Sequence, residues 1–272
     1  MPARKDFAPG EFCWIDLTAH DMASARDWYG QLFGWSYHDM PTSGGGPPYT
    51  FCMKDGAVAA GMGEMNEPMK AQGIPPMWNS YVASVDCAAT EAGVKRLGGT
   101  VTVPTMEVPG HGKLAFFLDP EGASFAAWQD LSTDSPGILV QDHGSLSWNE
   151  LMTRDPSKAR EFYGALFGWD FADMPMDGVD YTVIKHKGGD RKEQDGGGFM
   201  PMTDRKFDGI PAHWMVYFAV DDCDATTAKV QESGGSLMVP PTDIPVGKFS
   251  VVADPQGAGF SLITLKDAPG PA

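Results

Sequence analysis

The sequence predicts an α+β protein made of four successive βαβββ units, two in each half of the chain. The main observation is an internal repeat, because "DWYGQLFGW" at 27–35 returns as "EFYGALFGW" at 161–169. Further along, "DPEGASF" at 119–125 matches "DPQGAGF" at 254–260. These matches keep their order at nearly constant spacing, which indicates a tandem duplication. We therefore expect one domain at 8–131, a polar linker at 132–145 and a second domain at 146–266.

Each half contains a weaker repeat that divides it into two units. A short apolar strand leads to an aspartate, then to a helix, a glycine and more strands, first at "FCWIDLTAHD" and again at "WNSYVASVD". Apolar residues recur at helical spacing over 22–33, which predicts a helix that Asp21 caps and Gly34 ends. A second helix is predicted at 87–97, after Asp86.

Composition and charge exclude several classes of partner. Hydrophobic residues make up 42% of the 272 residues, enough for a packed core, and the formal net charge is −16. Such a surface repels nucleic acids and anionic membranes. The chain has no apolar run of about 18 residues, and its first residues lack the apolar core of a secretory signal. The four cysteines form no CxxC pair, so we expect a cytoplasmic protein with reduced, buried thiols.

The element order, with "LFGW" after the first helix and "DPxG" before the last strand of each half, resembles a known family. It is similar to the glyoxalase, bleomycin-resistance and extradiol-dioxygenase superfamily, also called vicinal oxygen chelate proteins. The resemblance covers about 12–130 and 146–265, and extends to the actinobacterial members with two tandem domains. It implies two domains whose mixed sheets curl into open cups, with the site inside each cup.

Many members of this superfamily hold a divalent metal with His, Gln or Glu, but other residues stand at the matching positions here. Those positions carry Trp14, Asn79, Ala126, Trp148, Met215 and Ser261. Indole, methyl and thioether groups do not bind a hard cation, and a lone amide or hydroxyl binds it weakly. None of the six histidines recurs between the halves. We therefore expect no cofactor, and a divalent metal held in an unusual way by Asp16 or Glu150 is the alternative.

Instead of a metal, the sequence predicts a pocket lined by aromatic side chains. Residues at i and i+2 of a strand share a face, so the neighbours of the family's ligand positions should also face the cup. The predicted lining is Trp14, Asp16, Asn79, Tyr81, Trp128, Trp148, Glu150, His213, Met215 and Tyr217. Asp16 and Glu150 are the candidate catalytic residues, because a carboxyl in a dry pocket has a raised pKa and can accept a proton.

Two other interpretations of the lining stay open. Trp14 and Trp148 could fill the space that a metal and its waters would occupy, and the two carboxyls could serve only to hold a loop. The glycine-rich segments 42–48 and 196–198 fit no phosphate-binding motif and are predicted to be mobile loops over the cup mouths. The long charged segment 185–197 is predicted to be a solvated loop.

Three functions follow from these interpretations. The first is metal-free binding of a small aromatic or apolar molecule, by one chain that acts as a pseudo-dimer or by a homodimer. The second is an enzyme of the glyoxalase-like lyase, isomerase or hydroxylase kind. The third is an interaction scaffold whose cups are filled.

Overall fold

The computed structural model describes residues 3–42, 45–176, 179–186 and 196–266. Residues 187–195 of the predicted charged loop, and residues 43–44 of the predicted loop at 42–48, lie outside these ranges. The loop predicted at 196–198 is wrong for Gly197 and Gly198, which begin a strand. In the first half the elements are β1 (Phe12–Ala19), α1 (Met22–Phe33), β2 (Ser36–Met40), β3 (Tyr49–Lys54), β4 (Ala57–Glu64), α2 (Glu67–Ala71), β5 (Met77–Ala83), α3 (Cys87–Arg96), β6 (Thr100–Val108), β7 (Gly112–Leu118) and β8 (Ser124–Asp130).

The second half repeats this order. Its elements are β9 (Ser145–Thr153), α4 (Pro156–Phe167), β10 (Asp170–Met176), β11 (Val179–Lys185), β12 (Gly197–Pro201), β13 (His213–Ala219), α5 (Cys223–Glu232), β14 (Ser236–Ile244), β15 (Gly247–Ala253) and β16 (Gly259–Leu265). A short 3-10 turn at Arg205–Phe207 stands where the first half has α2.

Each half forms one mixed eight-stranded sheet, which confirms the predicted α+β fold with two tandem domains. The strand orders are β2-β3-β4-β1-β5-β8-β7-β6 and β10-β11-β12-β9-β13-β16-β15-β14. The two units of a half therefore lie side by side. They meet at a central antiparallel pair, β1 with β5 and β9 with β13, which joins their first strands.

The predicted ends of α1 are confirmed by its capping contacts. The Asp21 carboxylate accepts hydrogen bonds from the backbone N–H groups of Ala23 and Ser24, which α1 itself leaves without partners. Gly34 ends α1 with φ of 72°, a left-handed conformation that glycine adopts without steric cost. The second helix ends at Arg96, one residue before the predicted end.

The two halves share their hydrophobic cores. Ile15 and Leu17 of β1 lie in one cluster with Val216 and Phe218 of β13 and with Phe260 of β16. A second cluster joins residues of β7 and β8 to residues of α4 and β12. One face of each sheet is thus buried against helices and the other half, and the opposite face remains for the predicted cup.

The two repeated motifs meet across the boundary between the halves. Tyr29 of the first "YGxLFGW" motif donates a hydrogen bond of 3.1 Å to Asp254 of the second "DPxG" turn. Tyr163 makes the equivalent bond of 3.0 Å to Asp119. Because each bond joins a helix of one half to a turn of the other, the repeat that reveals the duplication also connects its two copies.

Part of the segment 132–145 is buried, which differs from the polar linker that we expected there. Ile138 and Leu139 are buried, and Ile138 belongs to the core that the halves share. The Leu139 N–H donates to the carbonyl of Val58, and Ile138 forms a bridge with Arg4 near the N-terminus. The centre of the linker is therefore packed against the first half. Within the described ranges, no helix is long and apolar enough to cross a membrane.

Candidate functional site

Each sheet carries one buried carboxyl on the face opposite the shared core. We call this face of the first sheet, around Asp16, the first cup, and the matching face of the second sheet, around Glu150, the second cup. The side chains of Asp16 and Glu150 lie on the central strands β1 and β9, and both residues are buried. The structure therefore gives the two candidate acids equivalent positions.

In the first cup, three donors surround the Asp16 carboxyl. The hydroxyls of Tyr49 and Tyr81 donate to Oδ2 at 2.9 and 2.7 Å. The amide of Asn79 donates to Oδ1 at 2.8 Å, and the Trp14 indole N–H donates to the Tyr49 hydroxyl at 2.8 Å. The predicted residues Trp14, Asp16, Asn79 and Tyr81 thus form one connected network.

In the second cup, the network around Glu150 has the same plan and fewer members. The Tyr217 hydroxyl donates to Oε1 at 2.7 Å, and the Trp148 indole N–H donates to the Tyr181 hydroxyl at 2.8 Å. Tyr181 adds a weaker interaction with the carboxyl. Met215, which pairs with Glu150 across β13 and β9, stands where the first cup has Asn79.

Two predicted residues lie at the margins of the cups. Trp128 on β8 is half-buried and packs in one cluster with Trp14, Tyr81 and Phe116. His213 is half-buried at the start of β13, on the same face as Met215, and its Nδ1 lies 2.8 Å from the carbonyl of Pro211. Burial lowers the pKa of His213, which favours the neutral ring.

Burial raises the pKa of both cup carboxyls. The pKa of Glu150 rises from 4.5 to about 7, because desolvation outweighs the hydrogen bonds from Tyr217 and Tyr181. The pKa of Asp16 also rises through burial, against the opposing effect of hydrogen bonds from Asn79, Tyr81 and Tyr49. A carboxyl with a pKa near neutrality can accept or donate a proton under physiological conditions, so Glu150 is chemically suited to either role.

Sequence reasoning missed Tyr49 and Tyr181, which connect each tryptophan to its carboxyl. Each tyrosine lies against a glycine of the neighbouring strand. A Cβ added to Gly61 would lie 1.9 Å from the Tyr49 hydroxyl, and one added to Gly198 would lie 2.4 Å from the Tyr181 hydroxyl. A signal existed, since "YT" occurs at 49–50 and again at 181–182. Loops of unequal length precede these dipeptides, so they fall outside the main repeat spacing.

We expect Gly61→Ala to disrupt the first cup, because its methyl group would push the Tyr49 ring away from Asp16. The expected cost is about 1–3 kcal/mol in the free energy of unfolding, as for overpacking elsewhere. Gly63→Ala is the matched control, because its Cβ would meet the same ring at 3.7 Å, an ordinary contact. Urea denaturation of both variants checks the prediction, and equal losses of stability would contradict it.

The residues of the cups do not fit a divalent metal. Both oxygens of the Asp16 carboxyl accept hydrogen bonds, so the protons of Tyr49, Tyr81 and Asn79 occupy the directions from which a cation would be coordinated. Throughout the part of the chain that the structure describes, no group of three or more His, Cys, Asp or Glu residues could hold a metal ion.

Comparison with known proteins gives the class of this protein. The family model described as "Glyoxalase/Bleomycin resistance protein/Dioxygenase superfamily" matches residues 12–126 and 145–262. The chain belongs to this superfamily, with one domain of the family in each half. The family inferred from the "LFGW" and "DPxG" motifs is thereby confirmed.

Several individual proteins are similar along their whole length. The chain is 41% identical over 273 residues to the "Putative glyoxylase CFP32" of Mycobacterium tuberculosis, with 99% of both chains covered. It is 35% identical over 275 residues to the anthracycline biosynthesis protein DnrV of Streptomyces peucetius, with 96% of this chain and 95% of that protein covered.

Solved structures share the fold at low sequence identity. The Mn(II)-bound glyoxalase of Novosphingobium aromaticivorans superimposes with a TM-score of 0.62 at 14% identity, covering 94% of this chain and 82% of that one. The 2,3-dioxygenase LapB of Pseudomonas sp. KL28 gives a TM-score of 0.58 at 15% identity, covering 97% and 95%. These likenesses support the arrangement of the sheets and carry no argument about chemistry.

Proposed function

We propose that the protein binds a small, hydroxylated aromatic molecule in its cups, without a metal. The observation that carries this proposal is a constellation built twice, in which a buried carboxyl, two tyrosines and a tryptophan share one cup face. The carboxyl would orient a polar group of the ligand, and the rings would supply flat apolar contact.

The half-buried apolar side chains on the cup faces favour an apolar ligand. Trp14 and Trp148 are half-buried, and a tyrosine hydroxyl accepts a hydrogen bond from the indole N–H of each. In the second cup, Phe249 and Val251 are also half-buried and lie in one cluster with Trp148 and Tyr217. A pocket that combines exposed apolar surface with a few fixed polar groups is typical of sites for small organic molecules.

The names of similar proteins indicate the chemical class of the proposed ligand. DnrV, at 35% identity, is named for anthracycline biosynthesis, and anthracyclines are fused-ring, hydroxylated aromatic compounds. A ligand of this shape would stack on the tryptophan and place a hydroxyl near the carboxyl. The formal net charge of −16 also favours a ligand that carries a basic group.

Tryptophan fluorescence tests the proposal with 1,4-dihydroxyanthraquinone as the probe. We expect saturable quenching in the wild type and a clear loss of the quenched component in Trp148→Phe or Trp14→Phe. Trp35→Phe is the control, because Trp35 is buried in the shared core, and its removal should leave the quenched component unchanged. The scaffold interpretation would replace ours if no probe quenched and acrylamide failed to reach Trp14 and Trp148.

A second candidate function is an enzyme that uses Glu150 as a proton acceptor or donor. The observation that favours it is the pKa of Glu150, about 7, which matches general acid–base work at neutral pH. The 41% identity to a protein named as a glyoxylase agrees with a carbonyl substrate. Turnover that disappears in Glu150→Gln while the probe still binds would favour the enzyme.

The proposal also covers location and assembly. We place the protein in the cytoplasm, because all four cysteines are buried, free thiols, which suits a reducing compartment. Its partners would be small molecules and neither nucleic acids nor membranes, given the acidic surface. One chain supplies both halves of the shared cores, so a monomer acting as a pseudo-dimer is sufficient, and a homodimer remains the alternative.

A further inference from the structure

We propose that the two cups are not equivalent and that the second cup is the binding site. There, Glu150 and Ser261 would receive polar groups of a hydroxylated aromatic ligand, whereas Asp16 would belong to the scaffold of the first half. This inference rests on the proposed function and names the site within it.

The first supporting observation is the number of donors that each carboxyl already has. Asp16 accepts hydrogen bonds of 2.7–2.9 Å from Tyr49, Tyr81 and Asn79. Within the part of the chain that the structure describes, Glu150 accepts one such bond, from Tyr217 at 2.7 Å, and a weaker interaction from Tyr181. The carboxyl of the first cup is satisfied by the protein, so a ligand gains little there. Glu150 retains capacity for a donor supplied from outside.

The replacement of Asn79 by Met215 explains this difference. Both residues pair directly with the carboxyl-bearing residue across the central strands, Asn79 with Asp16 and Met215 with Glu150. The asparagine supplies an amide donor at 2.8 Å, whereas the methionine side chain has none to supply. The position that donates a hydrogen bond to the carboxyl in the first cup, Asn79, is thus occupied by an apolar residue, Met215, in the second cup.

The second, independent observation is a buried hydroxyl for which the described residues provide no hydrogen bond of normal geometry. Ser261 is fully buried, and its Oγ makes no hydrogen bond of normal geometry within the described ranges, although it lies close to the Tyr217 hydroxyl. A buried hydroxyl in this state is unfavourable until another polar group reaches it. The matching residue of the first cup is Ala126, whose side chain has no polar group that needs a hydrogen-bond partner.

The strand geometry places this hydroxyl in the second cup. Phe260 and Leu262, on either side of Ser261, lie in the core shared by the halves, so the Ser261 side chain points to the opposite face. Ser261 pairs with Tyr217, and Tyr217 donates to Glu150. The unsatisfied hydroxyl, the phenol and the carboxyl thus follow one another across three adjacent strands.

These groups define the ligand by its chemistry. A phenolic hydroxyl could donate to Glu150, and a carbonyl or second hydroxyl could bond to Ser261. The rest of the ring system would lie against Phe249, Val251 and Ile263, which form the apolar part of the second cup. An aromatic compound without oxygen substituents would leave both polar groups unpaired, so we expect it to bind much more weakly.

The test compares matched variants of the two cups. Isothermal titration of the full chain with 1,4-dihydroxyanthraquinone should give one site per chain. We expect Met215→Asn and Ser261→Ala each to weaken binding about tenfold, the first by supplying the missing donor and the second by removing the hydroxyl. The first-cup control Ala126→Ser should leave the dissociation constant unchanged, and Glu150→Gln should lose far more affinity than Asp16→Asn.

The outcomes separate this inference from the proposed function. Two equivalent sites, or a greater loss in Asp16→Asn than in Glu150→Gln, would overturn the inference and leave ligand binding in the cups standing. Failure of the wild type to bind any oxygenated aromatic probe would overturn both. Ser261→Ala removes a single unpaired atom, so this comparison survives if Met215→Asn fails to fold.

Discussion

Glu150→Gln is expected to raise the free energy of unfolding at pH 8 by roughly 3 kcal/mol, because it removes a charge that the fold solvates poorly. The pKa of Glu150 is about 7 in the folded protein, against an ordinary value of 4.5. The folded state therefore binds the proton more tightly than the unfolded state does. Between pH 4.5 and about pH 7, the free energy of unfolding therefore falls as the pH rises, and it stays low at higher pH. Below pH 4.5 both states are protonated, and the penalty vanishes.

Urea denaturation of wild type and Glu150→Gln between pH 4 and pH 8 checks this expectation. The variant should match the wild type at low pH and exceed it progressively above pH 5. Glu161→Gln, at an exposed site on α4, is the surface control and should leave the pH profile unchanged. Asp16→Asn should show a smaller gain, since three hydrogen bonds already favour its ionised form. Parallel profiles for wild type and Glu150→Gln would show that the carboxyl is not desolvated.

Asp254→Ala is expected to lower the free energy of unfolding by about 3 kcal/mol, because it leaves several buried donors without an acceptor. The Asp254 carboxyl accepts from the backbone N–H groups of Gln256 and Ala258, both at 2.9 Å, and from the Tyr29 hydroxyl. It therefore both shapes the "DPxG" turn and joins the two halves. Thermal and urea unfolding measure the loss.

Two comparisons make this prediction specific. Asp134→Ala, at a side chain that is 95% exposed, should change stability little. A double-mutant cycle between Asp254→Ala and Tyr29→Phe should give a coupling energy of about 1–2 kcal/mol, because the two residues share one hydrogen bond. Strict additivity would mean that the bond between the halves contributes nothing. Asp119→Ala should reproduce the loss, since Asp119 makes the same three contacts in the other half.

The two predictions assign different roles to buried carboxyls of one chain. Asp254 and Asp119 are expected to stabilise the fold through their hydrogen bonds to turns and to the other half. Glu150 is expected to destabilise the fold at neutral pH, since few donors compensate for its burial. A group that lowers stability at the working pH is consistent with a functional site, where stability and activity often oppose each other.

Much of the fold could be predicted from local patterns. The spacing of apolar residues located α1, and the capping aspartate and terminal glycine fixed its ends, because these signals act within a few residues. The same spacing argument placed Trp14 beside Asp16 and Trp148 beside Glu150, since alternation along a strand is a local property. The resemblance carried by "LFGW" and "DPxG" supplied the arrangement of the sheets.

The tertiary structure decided which of these side chains meet. Tyr49 lies on β3 and Tyr181 on β11, and each of these strands is separated from the strand of its carboxyl by one other strand. The loops that precede the two tyrosines differ in length between the halves. The bonds from Tyr29 to Asp254 and from Tyr163 to Asp119 join residues on opposite sides of the chain's midpoint. The burial of Ile138 and the donors around each carboxyl likewise depend on distant segments. The same holds for the Ser261 hydroxyl, for which the described residues provide no hydrogen bond of normal geometry. The sequence by itself determined the repeat, the helix ends, the family and the strand positions of both acids, because these follow from neighbouring residues. Contacts between distant strands required the folded chain, because sequence spacing does not determine which side chains such strands bring together.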